Sequence, residues 1–169
     1  MTILQTARLT LRPQAQADAP ALFNILNDPE AMRFWSRPPL TRLAVAEELV
    51  REQQVAMESG LCRYWTAWEG GDAIGSLDLS LIENGSAELG FLLRRDRWGL
   101  GLTSEAAAAI VATGFGPMGL ARLAAAVQTE NRAAVRVLEK SGFTLARTHA
   151  AVTMPGGQRR DCAFYVRDR

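Results

Sequence analysis

Three short strand patterns follow one another in the middle of the chain, and this feature constrains the fold most. The patterns run from Tyr64 to Trp68, from Ile74 to Leu81 and from Ala87 to Leu93. Gly70-Gly71 and Asn84-Gly85 separate them, and such pairs are typical of the tight turns that join antiparallel strands. The sequence therefore predicts an antiparallel meander.

Before the meander, the sequence predicts one strand and two helices. Polar and apolar residues alternate from Arg8 to Arg12, as they do in a half-buried strand. Asp18 is in position to cap a first helix that ends near Leu26, and a second helix runs from Thr41 to about Glu58.

After the meander, the pattern changes to helix, strand, helix, and then to two last strands. These five segments cover residues 103–115, 123–127, 131–141, 144–153 and 162–166. Pro155-Gly156-Gly157 supplies the turn between the last two. The order of elements predicts an α+β fold, a mixed central sheet of about seven strands flanked by about four helices.

The length of 169 residues predicts a single domain over residues 1–169, and the composition, with 48% hydrophobic and 22% charged residues, is that of a globular protein. A net charge of +1 argues against a nucleic-acid partner, whose binding would depend on neutralising phosphates. Two cysteines and one histidine argue against a metal site. Neither a secretory signal nor an apolar run of about 18 residues is visible, so we expect a reduced, cytoplasmic protein with no membrane partner.

The segment from Arg94 to Ala106 joins a strand to a helix through Gly99 and Gly101. Glycines allow successive N–H groups to point into one concavity, and the helix N-terminus adds unpaired donors. Such a site suits a pyrophosphate, and Arg95 or Arg97 would add positive charge. A tight turn needs glycine for its own sake, so this segment alone leaves both interpretations open. It is neither a Walker loop nor a dinucleotide-binding fingerprint, because the required lysine or third glycine is missing.

A second segment, from Asn131 to Phe143, has a complete structural explanation of its own. Asn131 is in position to cap the helix, Gly142 to end it in a left-handed conformation, and Phe143 to close that end with an apolar contact.

Together these segments resemble the GNAT acetyltransferase superfamily. Residues 98–106 are similar to its acyl-CoA pyrophosphate loop, and residues 131–143 are similar to its N-x-A-(S/A)…E-K-x-G-F helix. Residues 6–13 and Arg160-Asp161 resemble the RimJ/RimL-type branch. The resemblance spans nearly the whole chain.

The resemblance implies a sheet splayed into a V between the strands at 87–93 and 123–127, with acetyl-CoA as the cosubstrate inside the opening. The pantetheine arm would pair with the backbone of Phe91, Leu92 and Leu93. Asn131 would bind the pantetheine or thioester region.

The resemblance also implies that loop amides hold the pyrophosphate. These amides belong to Arg97, Trp98, Gly99, Leu100, Gly101, Leu102 and Thr103. Arg136 and Lys140 lie on the polar side of the last helix, where each has two interpretations, a contact to the ribose phosphate or a solvated helix face.

The implied reaction is direct acetyl transfer to a primary amine, either a protein N-terminal amine or a small-molecule amine. An ammonium group is not a nucleophile, so a base must accept its proton. By resemblance Glu88 is that base, and alternation places Glu88 on one face with Gly90 and Leu92. A solvated strand carboxylate is the alternative for Glu88. Asp78 is the reserve candidate. Trp35 has two interpretations, a position on the acceptor side, which the resemblance implies, and packing in the core.

Three positions depart from the family pattern. Ala134 and Leu138 stand where the superfamily has a Ser or Tyr that protonates the departing thiolate, and Asp96 adds a negative charge to the loop. These departures keep open an alternative, an acyl-CoA-binding protein with little or no transferase activity. Monomer and homodimer also remain open.

Overall fold

The computed structural model describes residues 2–153 and 159–169, so the predicted turn at Pro155-Gly156-Gly157 lies outside the described residues. Over the described part, the chain forms eight strands and four α-helices. In chain order these are β1 (Leu4–Gln5), β2 (Thr10–Pro13), α1 (Ala19–Leu26), α2 (Leu43–Glu58), β3 (Arg63–Glu69), β4 (Asp72–Glu83), β5 (Ser86–Leu93), α3 (Leu102–Phe115), β6 (Arg122–Gln128), α4 (Arg132–Lys140), β7 (Thr144–Thr153) and β8 (Arg159–Asp168).

One sheet contains all of these strands, in the order β1-β2-β3-β4-β5-β6-β8-β7. Its neighbours pair antiparallel except β5 and β6, which run parallel. The predicted α+β fold with a mixed sheet is confirmed, and the meander from β3 to β5 is confirmed with it. The eighth strand is β1, which is too short to leave a periodic pattern in the sequence.

The two faces of the sheet carry different helices. On one face, α3 and α4 pack over the main core, which includes Trp65, Leu77, Leu89, Ile110 and Leu138. On the other face, α1 and α2 cover a smaller cluster that contains Leu92 from β5. Because side chains alternate along a strand, even-numbered residues of β5 point to the α1–α2 face.

Asp18 does not cap α1 with its side chain, although it occupies the residue before the helix. Its Oδ2 accepts hydrogen bonds from the Ala15 N–H at 3.0 Å and the Thr66 hydroxyl at 2.7 Å. The carboxylate is buried, and these two donors satisfy it there. The second helix begins at Leu43 rather than Thr41.

Cys62 and Cys162 are free thiols. The described residues contain no group of three or more His, Cys, Asp or Glu side chains that could hold a metal ion. None of the helices in the described ranges is both long and apolar enough to cross a bilayer.

Candidate active site

The parallel pairing of β5 and β6 is short, and the sheet opens where it ends. Residues 86–88 of β5 pair with residues 122–124 of β6, and the last pair is Glu88 with Ala124. Beyond that pair, β5 continues along β4 and β6 continues along β8. We call this opening the fork, and it holds a cavity of about 660 Å³. The V expected from the sequence is therefore present, and the predicted site residues line its cavity except Leu100, Leu102 and Asp78.

The ladder between β4 and β5 decides which backbone groups face the fork. The Arg94 N–H donates to the Ile74 carbonyl at 2.7 Å, and the register continues with Leu92 opposite Ser76. Hydrogen-bonded pairs alternate along an antiparallel ladder, so the backbone groups of Leu92 point to β4. Those of Phe91, the next residue towards Glu88, point into the fork.

Leu93 also turns its backbone to the fork, but its carbonyl is occupied. The indole Nε1 of Trp98 donates to that oxygen at 2.8 Å. The Leu93 N–H and both backbone groups of Phe91 therefore face the cavity, whereas Leu92 contributes only its side chain.

The loop after β5 contains two glycines in the left-handed conformation, Gly99 at φ 75° and Gly101 at φ 78°. Gly101 is the residue before α3 and has no side chain to cap the helix. The first helical bond goes from the Glu105 N–H to the Gly101 carbonyl at 3.1 Å. The N–H groups of Leu102, Thr103 and Ser104 therefore have no intrahelical partner, and they form a donor set for an anion.

Two of the loop amides predicted to bind pyrophosphate are used inside the loop. The Arg97 N–H donates to the Arg94 carbonyl at 3.0 Å, and the Trp98 N–H donates to the Arg95 carbonyl at 3.2 Å. A tight turn after β5 thus consumes both donors. The geometry leaves residues 99–104 as the available amides.

Three charged side chains of this loop, Arg94, Asp96 and Arg97, form ion pairs with one another, whereas Arg95 pairs with Asp28 at 3.3 Å. Asp96 accepts two hydrogen bonds from Arg94, at 2.7 and 3.1 Å, and one from Arg97 at 2.9 Å. Arg97 also contacts Glu69 at 2.8 Å. Hydrogen bonding from Arg94 holds the pKa of Asp96 below its ordinary value. The extra negative charge noted in the sequence is therefore compensated locally.

Helix α4 forms the opposite wall of the cavity. Asn131 caps it as expected, because its side chain accepts a hydrogen bond from the Ala134 N–H at 3.1 Å. That bond uses Oδ1, so the Nδ2 amino group remains to donate. Arg136 and Lys140 line the cavity with exposed side chains, and neither forms an ion pair within the described residues.

Glu88 lies at the fork itself, half-buried, on the face of the sheet that α1 and α2 cover. It stands opposite Ser80 of β4. Burial raises the pKa of the Glu88 carboxyl above its ordinary value. A carboxylate with a raised pKa at the edge of a cavity is suited to accept a proton.

Asp78 lies on the same face, opposite Gly90 in the ladder. Burial raises the pKa of Asp78 to about 7, a hydrogen bond with Ser80 opposes this rise, and the negative charge of Glu88 adds to it. Tyr64 stands opposite Asp78 on β3, and burial together with Asp78 raises the pKa of its hydroxyl. The face therefore carries two neighbouring carboxyl groups.

Trp35 and Phe34 line the cavity from the segment between α1 and α2. Trp35 is half-buried and packs against the smaller apolar cluster. The Phe34 carbonyl accepts a hydrogen bond from Gln128 Nε2 at 3.0 Å. Gln128 thus attaches this segment to the end of β6.

Gln128 is a further residue of the cavity, and the sequence did not predict it. It is buried, it lines the cavity, and its Oε1 has no partner among the described residues. A polar residue directly after the apolar run from Leu123 to Val127 is the signal that could have identified it, but at a strand end this signal also fits a loop.

Comparison with known proteins identifies the same family that the sequence resembles. The family model described as "Acetyltransferase (GNAT) domain" matches residues 8–144. An uncharacterised N-acetyltransferase, p20 of Bacillus licheniformis, is 32% identical over 147 residues, which cover 85% of this chain and 83% of that protein.

Solved structures share the whole fold. RimL, a ribosomal L7/L12 alpha-N-protein acetyltransferase in complex with coenzyme A, superposes with a TM-score of 0.90 at 20% identity, covering 99% of this chain and 98% of that one. Spermidine N-acetyltransferase from Vibrio cholerae, in complex with CoA and spermine, has a TM-score of 0.85 at 21% identity and covers 96% of each chain.

Proposed function

The chain belongs to the GNAT acetyltransferase family and is an N-acetyltransferase that uses acetyl-CoA; we propose that it transfers the acetyl group directly to a primary amine held on the Glu88 side of the fork. The observation that carries this proposal is the end of the β5–β6 pairing at Glu88. The sheet opens beyond this pair, and the Glu88 carboxylate therefore lies at the edge of the cavity.

The residues around the cavity fit acetyl-CoA. The unpaired N–H groups at the start of α3 suit its pyrophosphate, and the fork-facing backbone of Phe91 suits its amide-containing arm. Asn131 Nδ2 is a further donor on the same wall. Arg136 and Lys140 supply positive charge for the ribose phosphate. When bound, acetyl-CoA supplies the acetyl thioester.

Glu88 is the group that we assign as general base. An amine acceptor enters as an ammonium ion, and a carboxylate at the fork both attracts that cation and accepts its proton. Burial raises the pKa of Glu88, which makes the carboxylate a better proton acceptor than an exposed one. Asp78 lies beside Glu88 on the same face but does not line the cavity, so it acts on this site through its electrostatic interaction with Glu88.

The departing thiolate receives no proton from the two α4 positions that carry donors in the wider family. Ala134 and Leu138 both line the cavity, and both side chains are buried and aliphatic. A free thiol has a pKa of only about 8.5, so a thiolate is a tolerable leaving group near neutral pH. The reaction therefore proceeds through water or through the free thiolate.

The first test is binding of the cosubstrate, followed by turnover. Acetyl-CoA at about a hundred times its Kd should stabilise the protein by roughly 2.7 kcal/mol, which raises Tm by about 5–10 °C at this size. Release of free thiol is then measured with two acceptor classes, short peptides with free N-termini and polyamines such as spermidine. Transfer to either class supports the proposal and selects the acceptor. Binding without transfer to any amine would instead favour an acyl-CoA-binding protein.

A further inference from the structure

The segment that precedes β2 is fastened to the first turn of α3 through one carboxylate. Glu105 Oε1 accepts hydrogen bonds from the Thr6 hydroxyl at 2.6 Å and the Arg8 N–H at 2.8 Å. Glu105 Oε2 accepts from Arg8 Nε at 2.7 Å and lies 2.7 Å from Arg8 Nη2. Both oxygens are therefore occupied, and the Glu105 side chain is only 19% exposed.

The same guanidinium reaches the glycine loop. Arg8 Nη1 donates to the Leu100 carbonyl at 3.0 Å, and Leu100 stands between the two left-handed glycines. In a trans peptide, the carbonyl of Leu100 and the N–H of Gly101 point in opposite directions. With the carbonyl held on the Arg8 side, the Gly101 N–H is directed away from Arg8, and Gly101 lines the cavity.

Charge gives Arg8 a second effect on the same loop. Glu105 lies in the first turn of α3, close to the unpaired N–H groups. A bare carboxylate there would repel a pyrophosphate. Although partial burial by itself raises the pKa of Glu105, the hydrogen bonds from Thr6 and Arg8 outweigh it and keep the group ionised. The guanidinium of Arg8 cancels that charge at contact distance.

We propose that Arg8 is a positioning residue for the pyrophosphate end of acetyl-CoA, because it orients the Leu100–Gly101 peptide and neutralises Glu105 beside the loop. Arg8 acts through these two groups rather than by touching the ligand. The inference rests on the proposed role of the glycine loop.

The test compares two acetyl donors, of which only one has a pyrophosphate. Arg8→Met removes the guanidinium, with its hydrogen-bond donors and its charge, and keeps an apolar side chain. We expect the Kd of coenzyme A to rise about five- to tenfold, and kcat/KM for acetyl-CoA to fall by a similar factor. The kcat/KM for S-acetyl-pantetheine, which lacks the pyrophosphate, should stay within about twofold of wild type. Adding Glu105→Gln to Arg8→Met should recover part of the loss, because the uncompensated carboxylate is then gone.

Arg122→Met is the matched control. Arg122 forms an equally close two-bond pair with Asp168, at 2.6 and 3.0 Å, and neither residue lines the cavity. Because the Arg122–Asp168 pair is exposed, this variant should lower Tm by no more than Arg8→Met does, and it should leave the affinity for coenzyme A unchanged.

Four outcomes overturn the inference. An unchanged Kd in Arg8→Met does so, and so does an equal loss of kcat/KM with both donors, because that would mean a general structural role. If wild type does not bind coenzyme A, the proposed function fails together with this inference, whereas the first two outcomes leave that function intact. If Arg8→Met does not fold, Arg8→Lys is used instead. Lysine keeps the charge but lacks the planar guanidinium, so we expect the Kd of coenzyme A to rise by an intermediate factor. A wild-type Kd in folded Arg8→Lys would again overturn the role in orienting the peptide.

Discussion

The carboxyl group of Asp78 lies across the backbone of Gly90, and its Cγ is 2.9 Å from the point that a Cβ on Gly90 would occupy. The two residues stand opposite each other in the β4–β5 ladder. Only glycine leaves room for Asp78 there. The carboxyl group of Asp78 lies near Glu88 because residue 90, on the neighbouring strand, has no side chain.

Gly90→Ala should therefore move Asp78 off this site. We expect kcat for amine acetylation to fall about tenfold, with KM for acetyl-CoA changed by less than about twofold, since the backbone of Gly90 faces β4. Steady-state kinetics with each substrate varied in turn would measure both effects. Gly71→Ala is the control, because a Cβ at Gly71 meets nothing within 4 Å. An unchanged kcat in Gly90→Ala would mean that the placement of Asp78 does not matter for the reaction.

Glu88→Gln should separate catalysis from cosubstrate binding. Loss of a general base typically costs about 10²–10⁴-fold in rate, whereas the affinity for acetyl-CoA should stay within about twofold. In wild type, the rate should rise with pH through the raised pKa of Glu88, because only the ionised carboxyl accepts a proton. The variant should lack the inflection at this pKa, and its rate should instead keep rising towards the pKa of the amine. A wild-type rate at neutral pH in Glu88→Gln would remove Glu88 as the base.

Asp78 should make stability depend on pH. Its pKa is raised from 3.8 to about 7 in the folded state, so between these values the folded protein binds a proton that the unfolded chain has lost. The free energy of unfolding therefore falls as pH rises from about 4 to about 7. Asp78→Asn should be more stable than wild type at about pH 8, by a few kcal/mol at most, and the gain should shrink towards pH 4. Denaturant melts of both proteins across this range would measure it, and a gain that is independent of pH would contradict it.

Ala134→Ser tests whether protonation of sulfur limits turnover. Ala134 is buried in the cavity wall on the first turn of α4, where a hydroxyl would face the fork. We expect kcat to rise a few-fold near neutral pH and to match wild type at about pH 9, above the pKa of a free thiol. Stopped-time measurements of thiol release would show the difference. A flat response at both pH values would mean that the thiolate leaves without help.

The local signals in the sequence predicted most of the elements, because each one lies within a few residues of what it determines. Asn84-Gly85 marks a hairpin turn, and Gly142, at φ 79°, ends α4 as expected. The unpredicted features join distant parts of the chain. Gln128 bonds to the Phe34 carbonyl across 94 positions, and Arg8 reaches Glu105 across 97. No periodic pattern encodes such contacts.

Register explains the remaining differences at the site. The sequence placed Phe91, Leu92 and Leu93 together as backbone partners of the cosubstrate, but a strand alternates its hydrogen-bonding direction at every residue. The pairing of Leu92 with Ser76 then decides that the backbone N–H and carbonyl of Phe91 face the fork, whereas those of Leu92 point to β4. A shift of one residue would reverse both assignments, and composition does not determine that shift.

The short parallel ladder is the only strand pairing in the described residues that joins the two parts of the sheet. Strands β1 to β5 form one part of the sheet and strands β6 to β8 form the other. The β5–β6 ladder that joins the two parts spans only residues 86–88 and 122–124. At the open end of the fork, the hydrogen bond from Gln128 to the Phe34 carbonyl connects the end of β6 to the segment between α1 and α2. A ligand that pairs with the backbone of Phe91 would fill the fork and contact both parts of the sheet. Binding of the donor would therefore connect the two parts of the sheet beyond the short ladder as well as supply the acetyl group.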